Sequence, residues 1–582
     1  MSRERRPRIN RRRPQPPMPA RWRNQFVLVL FVAFAVGLAG RAFFLQVLNQ
    51  DFLVHQGDIR HIRTIEVPAL RGAIMDRNGE PLALSAPTQS IWAVPGELLD
   101  APASLAPLAR ALDQDVGKLR AHLQKYRERQ FLYLARQLSP AHARKVMAVD
   151  APGVFQQREF KRYYPAGEAA AQLVGMVNID GRGQMGMELK KHSFLKGVAG
   201  SRRVIKDRLG RVVEDLDEFT ASRPGHQLRL TIDLRLQYIA YRELKEAILE
   251  NNASSGMAII LDPQNGELLA LTSYPSFNPN NRGTITPNGM RASPIIDVFE
   301  PGSAIKPLLL AQALDSGRFS PNSRIDNNGG RFRVGQLRIT DYGDYGKESF
   351  ATILKKSSNI GAAKVGLAMG AEQVWQGYHE FGLGMTTETG FPGERTGVLK
   401  PYYRWGDVET ATASYGYGIA VTALQLVRAY GAIADDGILR PLSLIIGPGA
   451  HMQTMPEQVI APDTARHIRH MLAGVISAEG TALQAAIPGY SAGGKTGTAR
   501  KIVDGSYSTD LHQAVFVGMA PIAEPELVTL VLIDSPRAGH YYAGRVAAPV
   551  FSSIMQKALR VRHVPPTWPE RIAGDSSRPG VS

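Results

Sequence analysis

The chain has 582 residues, 44% apolar and 21% charged, a composition of folded domains that excludes a wholly disordered chain, a collagenous repeat and a multi-span membrane protein. Its formal charge is +17, but residues 1–25 carry nine Arg against the single Glu4, so the excess basicity lies largely in an N-terminal tail. An Arg-rich arm can serve nucleic acid. This one runs straight into an apolar segment, as a positive-inside membrane anchor does, so no nucleic-acid partner is expected. With no Cys, disulfides, zinc-thiolate sites and cysteine nucleophiles are excluded.

Phe26 to Gly40 is fifteen residues without a polar side chain, and the run reaches Leu48 if Arg41 and Gln46 are tolerated near its end. Residues 26–48 are therefore long enough to span a bilayer. A cleaved signal peptide is the competing reading, with small residues at Gly37-Leu38-Ala39, but fifteen apolar residues sit at the upper limit of such a segment. The arginines would hold the N-terminus in the cytoplasm and place everything after residue 49 outside the inner membrane, a single-pass topology.

Residues 49–225 mix short strand-like runs with polar, Arg-rich helices and end at the breaker Arg223-Pro224-Gly225, where we place a domain boundary. A strand is predicted at Leu228–Ile232. The helix predicted from Leu234 to Asn251 has Leu236, Ile239, Ala240, Leu244, Ala247 and Ile248 at helical spacing. Met257–Leu261 and Leu268–Leu271 read as a hairpin joined through Asp262-Pro263-Gln264-Asn265-Gly266. From Ser303 to about Gly437 the pattern is mainly helical, strands return at Ala514–Val517 and Leu527–Ile533, and a last helix lies near Val546–Leu559. The layout predicts an α+β domain over 226–563 whose sheet takes strands from both ends, with a helical subdomain between them and a loose tail over 564–582.

Three short motifs lie in order on this second domain: Ser303-Ala304-Ile305-Lys306, Ser357-Ser358-Asn359 and Lys495-Thr496-Gly497-Thr498. A serine hydroxyl is a weak nucleophile and needs a base within hydrogen-bond reach. Glu300-Pro301-Gly302 reads as a turn into a helix, putting Ser303 in its first turn and Lys306 on the same face, with Pro307 tolerated there. A lysine accepts the serine proton only if burial or a second cation lowers its pKa, and Lys495 is the candidate cation. Ser357 can relay a proton, and Asn359 can fix Lys306 and a substrate amide, although helix capping by either is the bland alternative. Lys495, Thr496 and Gly497 suit a substrate carboxylate. The backbone N–H groups of Ser303 and Thr498 would form an oxyanion hole. The set specifies acyl transfer on a substrate with a free C-terminal carboxylate.

These motifs are the signature shared by penicillin-binding proteins and class A β-lactamases. The chain resembles class B penicillin-binding proteins more widely, at Arg71-Gly72-Ala73-Ile74-Met75-Asp76-Arg77-Asn78-Gly79, at Thr231-Ile232-Asp233 with Leu236-Gln237, at Tyr415-Gly416-Tyr417-Gly418 and at Tyr541–Phe551. Phe277-Asn278-Pro279-Asn280-Asn281 and Asp297–Ser303 are most similar to the division-specific, septal branch. Ala304, Ala423 and Asp435 depart from the usual Thr or Ser, Pro and Asn. The resemblance implies one N-terminal transmembrane helix, an elongated pedestal of the dimerisation type over 49–225, and a transpeptidase domain with an antiparallel sheet flanked by helices. It implies that Ser303 attacks the terminal D-alanyl-D-alanine of a peptidoglycan stem peptide, releases D-alanine and passes the acyl group to a neighbouring stem's amine. It further implies acylation by β-lactams, no metal or organic cofactor, and division-protein partners including a polytopic glycan polymerase. Whether Lys306 or a partner group is the acylation base stays open.

An elongation-specific transpeptidase, a mainly hydrolytic carboxypeptidase or β-lactamase and a non-catalytic division scaffold are the neighbouring readings. Glu372, Glu380 and Glu388 lie downstream of Asn359 without the context of a deacylating base. Gly489 to Thr496 also fits the phosphate-loop pattern G-x-x-x-x-G-K-[ST], with Leu530–Asp534 as an apolar strand ending in Asp. A phosphate loop must follow a strand and open a helix, whereas here a helix-like stretch precedes and a strand is predicted to follow. His467 and His470, flanked by Arg466 and Arg469, read as a solvated basic helix face, and Phe381-Gly382-Leu383-Gly384 as a loop.

Overall fold

The computed structural model describes residues 21–50, 62–206, 212–447 and 455–567. Most of the basic tail, residues 1–20, and most of the C-terminal tail, from 568 on, lie outside them. The chain forms two compact units, one of residues up to Val67 with Ala199–Ala221, the other of Pro68–Val198 with the residues from Ser222 on.

The first unit holds a helix, Arg21–Phe43, continued by a π-helical turn, Phe44–Leu48. Trp22–Leu48 is long and apolar enough to cross a membrane, and its large apolar side chains, Phe26, Phe31 and Phe34 among them, are exposed. That exposure is what a lipid-facing helix requires. The same unit contains a three-stranded antiparallel sheet of Ile62–Val67, Gly200–Lys206 and Val212–Thr220, with Thr64 opposite Arg203.

In the second unit, Pro81–Ala93 pairs antiparallel with both Leu132–Leu138 and Val154–Tyr163, over a small core of Ile91, Leu98, Leu108, Leu123 and Val146. The Arg71–Gly79 signature has a structural cause here. Asp76 is fully buried, and its carboxylate accepts the amides of Asn78 (2.7 Å), Glu80 (2.8 Å) and Leu234 (3.0 Å), the last opening helix α1, Leu234–Glu250. Glu188, also fully buried, lies between Arg71 Nε and Arg162 Nε, each 2.7 Å away. Thr231-Ile232-Asp233 is explained likewise, since Asp233 caps α1 and the Gln237 side chain bonds both the carbonyl and the amide of Leu271.

The large core surrounds a five-stranded antiparallel sheet of β1 (Ser255–Asp262), β2 (Glu267–Tyr274), β3 (Gly493–Val503), β4 (Ser506–Ala520) and β5 (Leu527–Asp534), in the order β2-β1-β5-β4-β3. Strands from both ends of the segment do meet, as the sequence predicts. The hairpin turn is reached through Gly266 at φ +74°. Seven of the eight residues of β5 are buried, so it reads as one apolar run without alternation: helices cover the sheet. Between β2 and β3 lie the helices α2 (Lys306–Asp315), α3 (Phe350–Lys356), α4 (Asn359–Met369), α5 (Ala423–Ala434) and α6 (Pro462–Ala473), and α7 (Ala548–Val561) follows β5. All twelve residues of α5 are buried.

The reading of α6 as a basic solvated face needs correction. His467 and His470 are exposed, but Arg469 is buried, donating to the carbonyl of Ile433 (2.9 Å) and pairing with Asp436 (2.7 Å). Its long stem packs inward while its guanidinium closes the end of α5. Phe381–Gly384 is the expected loop, with Gly382 and Gly384 at φ +83° and +81°.

Replacing Glu188 with Ala would leave two inward-facing guanidinium groups without their carboxylate, and the expected cost is about 3–5 kcal/mol of unfolding free energy. Denaturant unfolding of purified wild type and Glu188→Ala checks this, and a loss under about 1 kcal/mol would contradict it.

Candidate active site

Ser303 sits on a 3-10 turn, Gly302–Ile305, and α2 starts only at Lys306. The sequence predicted an α-helical first turn. The turn tightens because Gly302, at φ +51°, is clamped from outside: its amide donates to the Gly416 carbonyl (3.1 Å), and the buried Tyr430 hydroxyl donates to the Ala304 carbonyl (2.8 Å). A side chain at Gly416 would place its Cβ 2.1 Å from the Gly302 oxygen, so the Tyr-Gly-Tyr-Gly loop serves as a buttress.

Ser357 ends α3 in the left-handed region, φ +58°, and Asn359 opens α4. The residue between them does the capping: Ser358 Oγ accepts the Gly361 amide at 2.9 Å. Ser357 and Asn359 thus keep their side chains for Lys306. The ammonium end of Lys306, wholly buried, lies 2.6 Å from the Ser357 carbonyl, 2.8 Å from Asn359 Oδ1 and 3.3 Å from Ser357 Oγ.

Lys495 comes from β3, is equally buried, and reaches the same Ser357 Oγ at 3.0 Å, then the Thr496 carbonyl (3.1 Å) and Thr496 Oγ1 (3.3 Å). Thr496 Oγ1 in turn lies 3.1 Å from Thr481 Oγ1. Gly497 has a steric reason, because a Cβ there would fall 2.4 Å from the Pro301 oxygen. This close approach brings Thr498 beside the Ser303 turn: a Cβ on Gly302 would meet its backbone oxygen and nitrogen at 3.4 and 3.5 Å. Thr498 Oγ1 accepts the Ala543 amide at 3.1 Å, tying in the Tyr541–Phe551 segment.

Burial, which penalises the charged form, pushes both lysines towards the neutral amine. For Lys306 burial dominates, opposed by the acidic side chains of Asp341 and Glu348, and the result is about 7. Lys495 is held well below the ordinary lysine value by burial and by the nearby Lys306.

Asp341 and Glu348 carried no motif and were missed. Asp341 follows the strand Leu337–Thr340, and its Oδ1 accepts the Asn359 amide at 2.6 Å. Glu348, 1% exposed, lies in the short strand Lys347–Ser349 before α3 and contacts Ser358 Oγ at 2.6 Å. Nothing in the local sequence marks either, since both act across chain reversals. Gly361 is the one trace: a Cβ there would lie 2.5 Å from Glu348 Oε1.

The phosphate-loop match fails on geometry. Lys495 and Thr496 lie inside β3, after a 3-10 turn at Leu483–Ala485, and the strand runs on to Val503 where a phosphate loop would open a helix. Asp534, at the end of β5, is taken by Lys501 (2.8 Å). Among the described residues no group of three or more His, Cys, Asp or Glu is placed to hold a metal ion.

Comparison with known proteins gives the family. Residues 66–230 match the penicillin-binding protein dimerisation domain and residues 256–556 the penicillin binding protein transpeptidase domain. The chain is 41% identical over 552 residues to the probable peptidoglycan D,D-transpeptidase PbpC of Pseudomonas aeruginosa, covering 94% of this chain and 97% of that one. It is 41% identical over 547 residues to the peptidoglycan D,D-transpeptidase FtsI of Escherichia coli, covering 93% and 91%. Among solved structures, the apo TP domain of Burkholderia pseudomallei penicillin-binding protein 3 is similar over 58% of this chain and 98% of its own, with 41% identity and a TM-score of 0.53. A peptidoglycan synthetase from Bifidobacterium adolescentis covers 88% of this chain and 98% of its own, with 25% identity and a TM-score of 0.68. The chain belongs to the penicillin-binding proteins that join a dimerisation domain to a transpeptidase domain.

Because Lys306 is buried with its pKa lowered from 10.5 to about 7, the native state binds fewer protons than the unfolded chain between those values. Its contribution to stability is therefore present above that range and is lost as pH falls to about 7. Relative to Lys306→Met, the wild type should gain unfolding free energy as pH rises from about 7 to about 9, measured by urea unfolding at each pH. A pH-independent difference would contradict the buried amine.

Proposed function

We propose that this protein is a septal peptidoglycan D,D-transpeptidase with Ser303 as its nucleophile. The observation that carries the reading is the placement of two buried lysines on either side of Ser357, with Lys306 three residues from Ser303 and tuned to about 7. A neutral Lys306 accepts the Ser303 proton as Oγ attacks the carbonyl of the penultimate D-alanine. The backbone N–H groups of Ser303 and Thr498 receive the oxyanion. Lys495, Thr496 and Gly497 hold the terminal carboxylate, and Ser357 passes a proton to the departing D-alanine amine. Asn359 keeps Lys306 in line and can take the substrate amide. Deacylation by a stem-peptide amine on a neighbouring strand completes the cross-link, and a β-lactam is attacked in the same way. No cofactor enters any of these steps.

The apolar helix supports a single-pass anchor, and the arginines before it support a cytoplasmic N-terminus with the catalytic domain on the outer face of the inner membrane. The similarity to FtsI over 93% of this chain supports the septal branch over the elongation-specific one, and the septal reading carries with it, as partners, division membrane proteins including a polytopic glycan polymerase.

Intact-mass spectrometry of the detergent-solubilised chain with penicillin tests the reading. A one-to-one adduct that persists for minutes in the wild type and is absent from Ser303→Ala is expected. An adduct that vanishes within seconds would assign a hydrolase, and none on folded protein would defeat acyl transfer. Lys306→Met should slow adduct formation by about 10²-fold or more, and the wild-type rate should climb as pH rises towards about 7.

A further inference from the structure

Beneath the Ser357-Ser358-Asn359 turn lies a hydrogen-bond set whose protons can be counted. Asp341 Oδ1 accepts the amides of Asn359 (2.6 Å) and Ile360 (3.4 Å), and its Oδ2 accepts Asn327 Nδ2 (2.7 Å) and lies 2.6 Å from Ser358 Oγ. Ser358 Oγ also accepts the Gly361 amide at 2.9 Å and lies 2.6 Å from Glu348 Oε1. A hydroxyl has one proton and two lone pairs. Ser358 gives its proton to one carboxyl, so at the other a 2.6 Å oxygen–oxygen contact closes only if that carboxyl brings the proton. Asp341 is surrounded by donors and serves as the carboxylate. Glu348 is buried, and its second oxygen, Oε2, has no hydrogen-bond partner among the described residues, so an ionised Glu348 would leave charge unsolvated.

We propose that Glu348 is a positioning residue working as a protonated acid: its Oε1–H donates to Ser358 Oγ, Ser358 donates to Asp341, and this chain fixes the start of α4 where Asn359 holds Lys306. The groups facing Glu348 agree with that assignment. Burial dominates and, with the Asp341 carboxylate, raises its pKa from 4.5 to about 7 against the opposing effects of Ser358, Lys306 and Asn327. Tyr345, whose own phenol is raised by burial, Asp341 and Glu348, adds no cation. Asp326 and Lys347 on the paired strands are exposed, and the Lys364 ammonium is taken by the Asp326 carbonyl and Asn328 Oδ1. As pH rises through about 7, loss of the Glu348 proton to solvent sets two carboxylates against one hydroxyl. It also places a negative charge near Lys306 that favours the ammonium over the amine. Ionisation of Glu348 thus opposes the activation of Ser303 that rising pH would otherwise bring.

The kinetic half of this inference rests on the acyl-transfer reading, while the protonation state does not, and the test separates them. Infrared spectroscopy of the full chain at pH 6 should show a protonated-carboxyl band that is missing from Glu348→Gln and retained in Ser303→Ala. Glu348→Gln keeps a donor without the charge. It should label with fluorescent penicillin at pH 7 within about twofold of the wild type and hold or raise that rate to pH 9, where the wild type falls by about threefold or more below its own rate at pH 7. Glu348→Leu, which fits an apolar site, carries the same comparison should the Gln variant not fold; it too should show no fall from pH 7 to pH 9, at a rate lowered throughout. Absence of the infrared band, a tenfold loss in Glu348→Gln at pH 7, or pH profiles that superimpose would each overturn the assignment. Failure of the wild type to label would defeat the acyl-transfer reading and leave the infrared comparison to decide Glu348.

Discussion

Two lysine side chains buried around a single serine hydroxyl set the terms for the rest of this structure. Lys306 and Lys495, both wholly buried, reach Ser357 Oγ at 3.3 and 3.0 Å. Two ammonium groups cannot be held so close in a dry interior without one giving up its proton. The fold supplies what this requires: acceptors for each nitrogen, carboxyls near enough to temper the burial, and three separate chain segments locked in register so that neither lysine can swing to solvent.

The locking is mostly backbone against backbone. Gly416 and Gly497 stand where a Cβ would strike a neighbouring main chain, at 2.1 and 2.4 Å, and Gly302 holds the left-handed φ of +51°. Glycine there lets the Ser303 turn, the Tyr-Gly-Tyr-Gly loop and β3 touch. Tyr430 adds a hydroxyl to a carbonyl that the 3-10 turn leaves open. Glu188 and Asp76 do comparable work in the N-terminal part of the same unit, each satisfying buried donors from distant segments. The motif alanines that depart from the usual residues fit this frame: Ala304 packs beside Gly497, and Ala423 opens a helix already fixed by the Thr422–Gln425 capping box.

The three motifs of the candidate site were legible because each is local: Ser303 and Lys306 lie three residues apart, Ser357 and Asn359 flank a helix start, and Lys495 to Thr498 follow one strand. The buried strands and α1 were legible from apolar runs and helical spacing. Asp341, Glu348 and Tyr430 were not, since their partners lie across chain reversals and no period or motif announces them. Arg469 was misread for a related reason: its charge suggested solvent, while carbonyls of α5, 35 and 36 residues earlier, make an interior place for it. The phosphate-loop pattern in Gly489–Thr496 shows the converse. It matched letter by letter, and only the strand running through Lys495 and Thr496 reveals that the backbone there is committed to a sheet.

The central claim, that a buried lysine beside Ser303 is a neutral amine near physiological pH, is tested most directly by nuclear magnetic resonance titration of isotope-labelled lysine side chains in the wild type and in Lys306→Met. The account predicts one side chain that titrates near pH 7 and is missing from the variant. If every lysine keeps its proton until about pH 10 or above, the ordinary range for that side chain, the account is contradicted.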